Sequence, residues 1–224
     1  MPIREIAVSN FKSFQHLEFQ PDNFNIIIGS NASGKSNFIQ VIKFLRDIAK
    51  YGLANAISLQ GGVEYLRNTI IGPKEPFSIR IKYVLEEEKT DIVGMKGGAA
   101  VYFHPEEVSY SFSLAFTEMG EMYEIASDTL EVKGQFLRQE GIEQKNKGAG
   151  TIALVRTGGP IQYCICPPEG LDLGEDDIFP YYFQKKNIPA GTLIMTLPVF
   201  VPGIPSLEWI FRGMKVYDFD PRLL

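Results

Sequence analysis

Two hydrophobic periodicities divide the chain near residue 76. Before it, the segment from Gly34 to about Tyr51 carries apolar residues at the three- and four-residue spacing of an amphipathic helix. After it, apolar and polar residues alternate in the two-residue period of half-buried strands, most clearly from Val108 to Phe116. The pattern predicts a mixed α/β (α+β) chain with an α/β core over residues 1–75 and an antiparallel β-rich subdomain over residues 76–200. Residues 201–224 are then expected to form a connector.

The predicted core holds three strands before its helix. Ile3 to Val8 and Leu17 to Phe19 have strand patterns, and the polar stretch from Ser9 to Phe14 is predicted to turn between them. Phe24 to Ile28 is a short, mostly apolar run, which is typical of a strand buried on both faces. We therefore expect Phe24 to Ile28 to be a buried strand that leads into the segment before the helix.

The β-rich part is predicted to be a meander. Glu118 to Glu121 reads as a hairpin turn, and further strands are expected from Ile152 to Val155 and from Ile161 to Cys166. Gln139 to Gly150 is polar and rich in glycine, and is predicted to be a mobile loop. A short helix is expected from Leu207 to Phe211.

A complete G-x-x-x-x-G-K-S motif joins the predicted buried strand to the predicted helix. Its residues, with the asparagine that follows, are Gly29, Ser30, Asn31, Ala32, Ser33, Gly34, Lys35, Ser36 and Asn37. In a strand–loop–helix context, such a loop can fold tightly and point backbone N–H groups at nucleotide phosphates. Lys35 is expected to reach the β- and γ-phosphates, and the Ser36 hydroxyl to coordinate Mg²⁺. The sequence therefore predicts a nucleotide site with Mg²⁺ as its metal.

Composition argues against several other classes of protein. The net charge of −5 and the pI of about 5.2 disfavour a broad nucleic-acid-binding surface on this chain. The N-terminus leads directly into a strand pattern, and no apolar run approaches the ~20 residues that span a bilayer. We expect a cytoplasmic protein with no membrane partner. Cys164 and Cys166 lack the further ligands that a metal centre needs.

A family resemblance rests on two segments near the N-terminus. Asn10-Phe11-Lys12-Ser13-Phe14, followed by the loop and Asn37, resembles the opening of SMC/RecF-like ATPases. These are ABC-type heads that also include OLD-family nucleases and prokaryotic ATPases labelled AAA. Ala32 stands where SMC and RecF loops commonly carry glycine, a variant that looks like the OLD-like branch. The closing segment from Val216 to Arg222 is also similar to that branch.

The resemblance implies a role as the N-terminal lobe of an ATPase head. In such heads a second lobe carries the signature motif and Walker B, and two protomers enclose two ATP molecules, so the implied partners are a C-terminal lobe and a second copy. ATP binding would drive dimerisation and hydrolysis would reset it, in DNA repair or in defence against foreign DNA, with DNA as a partner of the full assembly. Lys12 and Ser13 would lie beside the nucleotide; a simple surface turn is the alternative for these two residues.

The second half of the catalytic apparatus is not visible in the sequence. A Walker B motif is an apolar strand that ends in Asp-Glu, and the sequence shows none. The most similar segment runs from Lys215 to Asp218, where Lys215 interrupts the apolar run. Ser58 to Gly62 has the composition of an ABC signature in the wrong order. No catalytic residue is therefore assigned, and we expect ATPase activity only when a C-terminal lobe completes the site. Two alternatives stay open: another P-loop ATPase or a small-molecule kinase, and a scaffold that binds nucleotide without hydrolysis.

Overall fold

The computed structural model describes residues 3–85, 90–179, 188–197 and 207–215. Its strands are β1 (Ile3–Phe11), β2 (Phe14–Phe19), β3 (Phe77–Val84), β4 (Asp91–Lys96), β5 (Ala99–Phe116), β6 (Tyr123–Glu140), β7 (Glu143–Arg156) and β8 (Gln162–Cys166). Its helices are α1 (Lys35–Tyr51), α2 (Leu53–Leu59), α3 (Val63–Leu66), α4 (Glu175–Ile178) and α5 (Leu207–Arg212), with short 3₁₀ turns at Gly72–Lys74 and Ile194–Thr196.

All eight strands belong to one sheet, in the order β2-β1-β3-β5-β6-β7-β8, and β4 pairs with β5 beside this path. Each pairing is antiparallel. The sheet is continuous across residue 76, because β1 pairs with β3 from Ile3–Tyr83 to Ser9–Ser78. The division into a core, a β-rich subdomain and a connector stays a prediction, but the predicted core contributes two strands to the large sheet.

Aromatic side chains fix α1 to the sheet. The helix turns its buried residues, among them Phe44 and Ile48, toward the strands. The ring of Phe44 lies 5.8 Å from that of Phe77 on β3 and 6.2 Å from that of Phe11 at the end of β1. Phe77 in turn contacts Phe112 on β5, with ring centroids 5.7 Å apart. This cluster sets the position of α1, and with it the position of the loop that precedes the helix.

A second buried cluster is polar and joins β5, β6, β7 and the turn at Ile194. Asp128 is fully buried and accepts hydrogen bonds from the Tyr110 hydroxyl at 2.9 Å, from Arg156 at 2.9 Å and from the Ile194 N–H at 2.7 Å. Burial raises the pKa of Asp128 to about 6, and the three donors oppose that rise. No local sequence pattern marks this cluster, because its members are separated by 18 to 66 residues.

Most of the predicted elements are confirmed. The predicted helix becomes α1, which ends at Tyr51 before Gly52, and the hairpin turn lies between β5 and β6 at Glu118–Glu121. The strands expected from Ile152 and from Ile161 are confirmed as parts of β7 and β8, and the helix expected from Leu207 is α5. Ser9 to Phe11 were predicted to turn, but they continue β1, so the turn is shorter than expected. Residues 216–224 lie outside the described residues. They include Asp218 of the segment most similar to Walker B, and the closing segment from Val216 to Arg222 that is similar to the OLD-like branch.

The prediction of a mobile loop from Gln139 to Gly150 is wrong. These residues extend β6 and β7 into a long two-stranded ribbon that turns at Gly141 and Ile142. Glu140 pairs with Lys145 at 2.9 Å and with Lys147 at 2.5 Å across the ribbon. Both faces of the ribbon are polar, so the alternation that marks a half-buried strand is absent from its sequence.

The prediction of a buried strand from Phe24 to Ile28 is also wrong. These residues have no regular secondary structure, and Phe24, Ile26 and Ile28 are 81%, 73% and 86% exposed. A strand needs a neighbour to satisfy its backbone N–H and C=O groups, and no strand in the described ranges pairs with this segment. The segment is apolar, but the described part of the chain does not bury it.

Candidate nucleotide-binding site

The N-terminus of α1 carries the partial positive charge of the helix dipole, with no capping side chain or acidic residue of the described chain to offset it. Gly34 is the N-cap, no side chain among the described residues caps the helix, and its first turn contains no acidic residue. The first N–H groups of a helix have no intrahelical acceptor, and the helix dipole places partial positive charge there. The 17 residues of α1 therefore present free donors and a favourable field to an anion at this end.

Gly34 is required by close packing and by backbone conformation in the loop, and Gly29 lies close to the Ser33 side chain. A Cβ added to Gly29 would lie 2.7 Å from the Ser33 hydroxyl. A Cβ added to Gly34 would lie 3.0 Å from the ring of Phe14 and 3.2 Å from the Ser13 hydroxyl, and Gly34 also has a φ of +94°. Glycine is the one residue that meets both constraints without strain. Ala32, in contrast, adopts a φ of +64° with a Cβ in place.

The Lys35 ammonium is held against the loop. It donates to the carbonyl of Gly29 at 2.7 Å, to that of Ser30 at 2.6 Å and to the Ser33 hydroxyl at 3.4 Å. Asn31 and Ser36 are exposed. The lysine that is expected to meet phosphate and the serine that is expected to meet Mg²⁺ thus follow each other at the open end of α1, and these two roles stay predictions.

The β1–β2 turn lies beside the loop. The Asn37 side chain on α1 donates a 2.7 Å hydrogen bond to the Ser13 hydroxyl. Lys12 turns to the other side, where its ammonium donates to the carbonyl of Tyr65 at 3.3 Å and its backbone N–H to that of Leu66 at 2.9 Å. Partial burial lowers the pKa of Lys12. The structure therefore brings Ser13 to the loop and directs Lys12 toward α3.

Two buried asparagines without a predicted role hold this turn. The Asn10 side chain donates to the carbonyls of Gly72 and Glu75, at 3.1 and 2.6 Å, and accepts from the Asn68 N–H at 2.9 Å. The Asn68 side chain donates to the Lys12 carbonyl at 2.8 Å. Asn10 belongs to the family-like phrase at the N-terminus, which was the one available signal. Asn68 gave none, because its partners lie 56 and 58 residues away.

Comparison with known proteins agrees with this geometry. A mixed α/β fold with a large antiparallel sheet, and this loop at the start of a helix, fit a P-loop NTPase. The model of the AAA ATPase domain family matches residues 1–153, more than half of the chain, and the chain belongs to that family.

Short stretches are also similar to three characterised proteins. Endonuclease GajA of Bacillus cereus (strain VD045) is 39% identical over 54 residues, which are 23% of this chain and 9% of that protein. The DNA replication and repair protein RecF of Desulforudis audaxviator is 47% identical over 45 residues, 20% of this chain and 12% of RecF. The chromosome partition protein Smc of Methanococcus voltae is 44% identical over 61 residues, 27% of this chain and 5% of Smc. The match thus spans a small part of each relative. Together with the family match, these similarities confirm the resemblance to SMC/RecF/OLD-like ATPases.

Among the helices in the described ranges, none combines the length and the apolar character needed to cross a membrane.

Proposed function

We propose that this chain is the ATP·Mg²⁺-binding lobe of an SMC/RecF/OLD-like ATPase. The observation that carries the proposal is the G-x-x-x-x-G-K-S loop at the uncapped N-terminus of α1, with Lys35 and Ser36 in its first turn. The loop glycines, the free N–H groups and the lysine together supply the donors and the positive charge that a triphosphate requires. Lys35 would bind the β- and γ-phosphates and the Ser36 hydroxyl the Mg²⁺ ion.

The lobe acts with a second lobe that supplies Walker B and the signature motif, in the same polypeptide or in another. The exposed segment from Phe24 to Ile28 supports this part of the proposal. It directly precedes the loop, and its apolar side chains lie in water in the described structure. A strand of the second lobe would pair with this backbone and cover Phe24, Ile26 and Ile28, which would remove an exposed apolar strip.

In the completed head, ATP binding drives dimerisation of two copies and hydrolysis resets it. The nucleotide then acts as a switch between two assembly states, because it binds the dimer better than the separate heads. RecF, Smc and GajA are named for DNA replication and repair, chromosome partition and endonuclease activity. We accordingly place the full assembly in DNA repair or in defence against foreign DNA, with DNA as its partner and the cytoplasm as its location.

Calorimetric titration of ATP·Mg²⁺ tests the core of the proposal. The chain should bind ATP, release phosphate at a negligible rate, and lose binding on Lys35→Ala. Lys50→Ala is the matched control, since Lys50 lies at the opposite, exposed end of the same helix. Equal binding by the wild type and Lys35→Ala would contradict a nucleotide role for the loop, and rapid turnover by the chain alone would contradict the need for a second lobe.

A further inference from the structure

A cavity of about 700 Å³ lies beside the buried Asp128 cluster, where β6 begins and β7 ends. Small-molecule sites have volumes of about 300–1,000 Å³ and are lined mainly by apolar side chains, with a few polar groups that orient the ligand. The cavity has this size and this kind of lining. Its apolar wall residues are Tyr123, Ile125, Pro160, Ile188 and Pro189.

A register shift in the sheet brings one of these walls to the same face as the polar cluster. Asp128 is paired with Phe112, whereas Ile125 is paired with Leu114, so β6 carries one extra residue between the two pairs. Phe112 and Leu114 are both buried, and directly paired side chains lie on the same face of a sheet. Ile125 and Asp128 therefore share the buried face, although strict alternation would separate them.

Arg156 also lines the cavity, and its guanidinium group is only partly used by the protein. The residue is 6% exposed. Its Nη2 atom donates to the Asp128 carboxylate at 2.9 Å and to the Thr192 carbonyl at 2.5 Å. Its Nε atom is buried, and no group in the described part of the chain accepts its hydrogen. A buried N–H without an acceptor is costly and uncommon, so Arg156 is held at one end and keeps donors for an acceptor from outside the chain.

We propose that this cavity binds a small organic acid, whose carboxylate meets Arg156 and whose apolar body lies against Tyr123 and Ile125. A guanidinium group pairs well with a carboxylate, because its N–H donors match the carboxylate oxygens in geometry and charge. Asp128 already offsets the charge of Arg156, and Glu124 also borders the cavity, so one negative charge fits better than the two of a phosphate ester. β3 and β5 lie between β1 and β6, and this site does not depend on the nucleotide site.

Titrations of the full chain with hexanoate, benzoate and phenylacetate, each beside its neutral amide, test the proposal. At least one acid should saturate a single site and bind about tenfold more tightly than its amide, since the two differ in the charge that meets Arg156. The double variant Asp128→Asn with Arg156→Gln removes both partners of the buried ion pair, so that neither charge is left alone. In this variant the acid should lose its advantage over the amide.

Gly191→Leu tests the cavity without touching Arg156. Gly191 lines the cavity, and a Cβ added there meets no atom within 4 Å, so a leucine side chain fits without a clash and takes up cavity space. Binding of the acid should fall at least tenfold. Gln144→Leu is the control, because Gln144 is exposed at the other end of β7, about 40 Å along the strand at about 3.3 Å per residue.

The outcomes separate this inference from the proposed function. Saturable binding of none of the three acids, equal binding of acid and amide, or full acid affinity in Gly191→Leu would each overturn the site. The acid should bind equally well with and without ATP·Mg²⁺. Competition between the two would place the acid at the phosphate loop and overturn a separate site, whereas failure of ATP to bind would contradict the proposed function alone.

Discussion

The side-chain oxygen of Asn10 accepts a 2.9 Å hydrogen bond from the backbone N–H of Asn68, 58 residues further along the chain. The Asn10 amide donates to two carbonyls in the same segment, and the Asn68 amide returns a hydrogen bond to the carbonyl of Lys12. The two side chains thus join the end of β1 to the segment that follows α3. Ser13 owes its position beside the phosphate loop to this exchange, and Lys12 its direction toward α3.

Asn10→Ala should lower the free energy of unfolding by about 3 kcal/mol. The substitution leaves one N–H and two carbonyls without their partner, at about 1 kcal/mol each or more. Asn10 also has a φ of +53°, which asparagine tolerates better than alanine. Urea denaturation measures the loss. The control is Asn25→Ala, because Asn25 makes two hydrogen bonds with Asp22 at an exposed site and should cost under about 1 kcal/mol. Similar losses in both variants would contradict a special role for Asn10.

Ala32→Gly should stabilise the chain by up to about 1 kcal/mol. Ala32 has a φ of +64°, a left-handed conformation that costs an L-residue with a Cβ about 1–2 kcal/mol, offset in part by the greater freedom of glycine in the unfolded chain. The same chemical change in Ala54→Gly, on the exposed side of α2, should instead destabilise by about 1 kcal/mol. Chemical denaturation of both variants gives the two signs, and a loss in Ala32→Gly would show that the loop does not strain this residue.

The Asp128 carboxyl should make the chain less stable as pH rises through the weakly acidic range. Its pKa is raised to about 6 in the folded state, against about 3.9 for an unfolded aspartate. The folded state therefore binds a proton more tightly, so this group's contribution is full below pH ~4 and is lost as pH rises through about 6. The total is about 3 kcal/mol at 1.36 kcal/mol per unit.

Asp128→Asn isolates this effect, because the variant has no carboxyl to titrate. Between pH 4 and 7 the unfolding free energy of the wild type should fall relative to that of the variant, as measured by urea denaturation at each pH. Parallel pH profiles would mean that hydrogen bonds from Tyr110, Arg156 and Ile194 cancel the effect of burial.

Replacing Ile26 and Ile28 together with serine should leave the unfolding free energy within about 0.5 kcal/mol per site. Both side chains are exposed, so their removal takes little apolar surface out of a packed environment. Ile48→Ser, at a fully buried position on α1, should cost several kcal/mol under the same conditions, since it combines a cavity with a buried hydroxyl. A large loss in the double variant would show that the chain itself buries this segment in solution.

The sequence was most informative where local chemistry decides the structure. The limits of α1 follow from Gly34 and Gly52, and the alternation from Val108 to Phe116 predicted the middle of the sheet. The prediction failed for Phe24 to Ile28, because composition reports that a segment suits burial and not whether a neighbour is present to bury it. The ribbon around Glu140 was missed for the opposite reason, since ion pairs between two polar strands leave no hydrophobic period.

The candidate site also has a part that the sequence predicts and a part that it does not. Its motif residues are contiguous and could be read directly, and Lys12 and Ser13 followed from the family-like phrase. The groups that hold them could not be predicted, because the Asn68 side chain and the Tyr65 carbonyl lie more than 50 residues further along the chain. Long-range hydrogen bonds of this kind depend on the register of β1 against its neighbours, which no local pattern records.

The contacts of Lys35 have a consequence for how tightly any anion can be held. Its ammonium already has acceptors in the carbonyls of Gly29 and Ser30, so an incoming phosphate must compete with them. Binding is then an exchange of one set of partners for another, and its net free energy is a difference between two strong interactions. Such a loop keeps its cation hydrogen-bonded at rest and favours a ligand, such as a polyphosphate, whose charged oxygens are stronger acceptors than two peptide carbonyls.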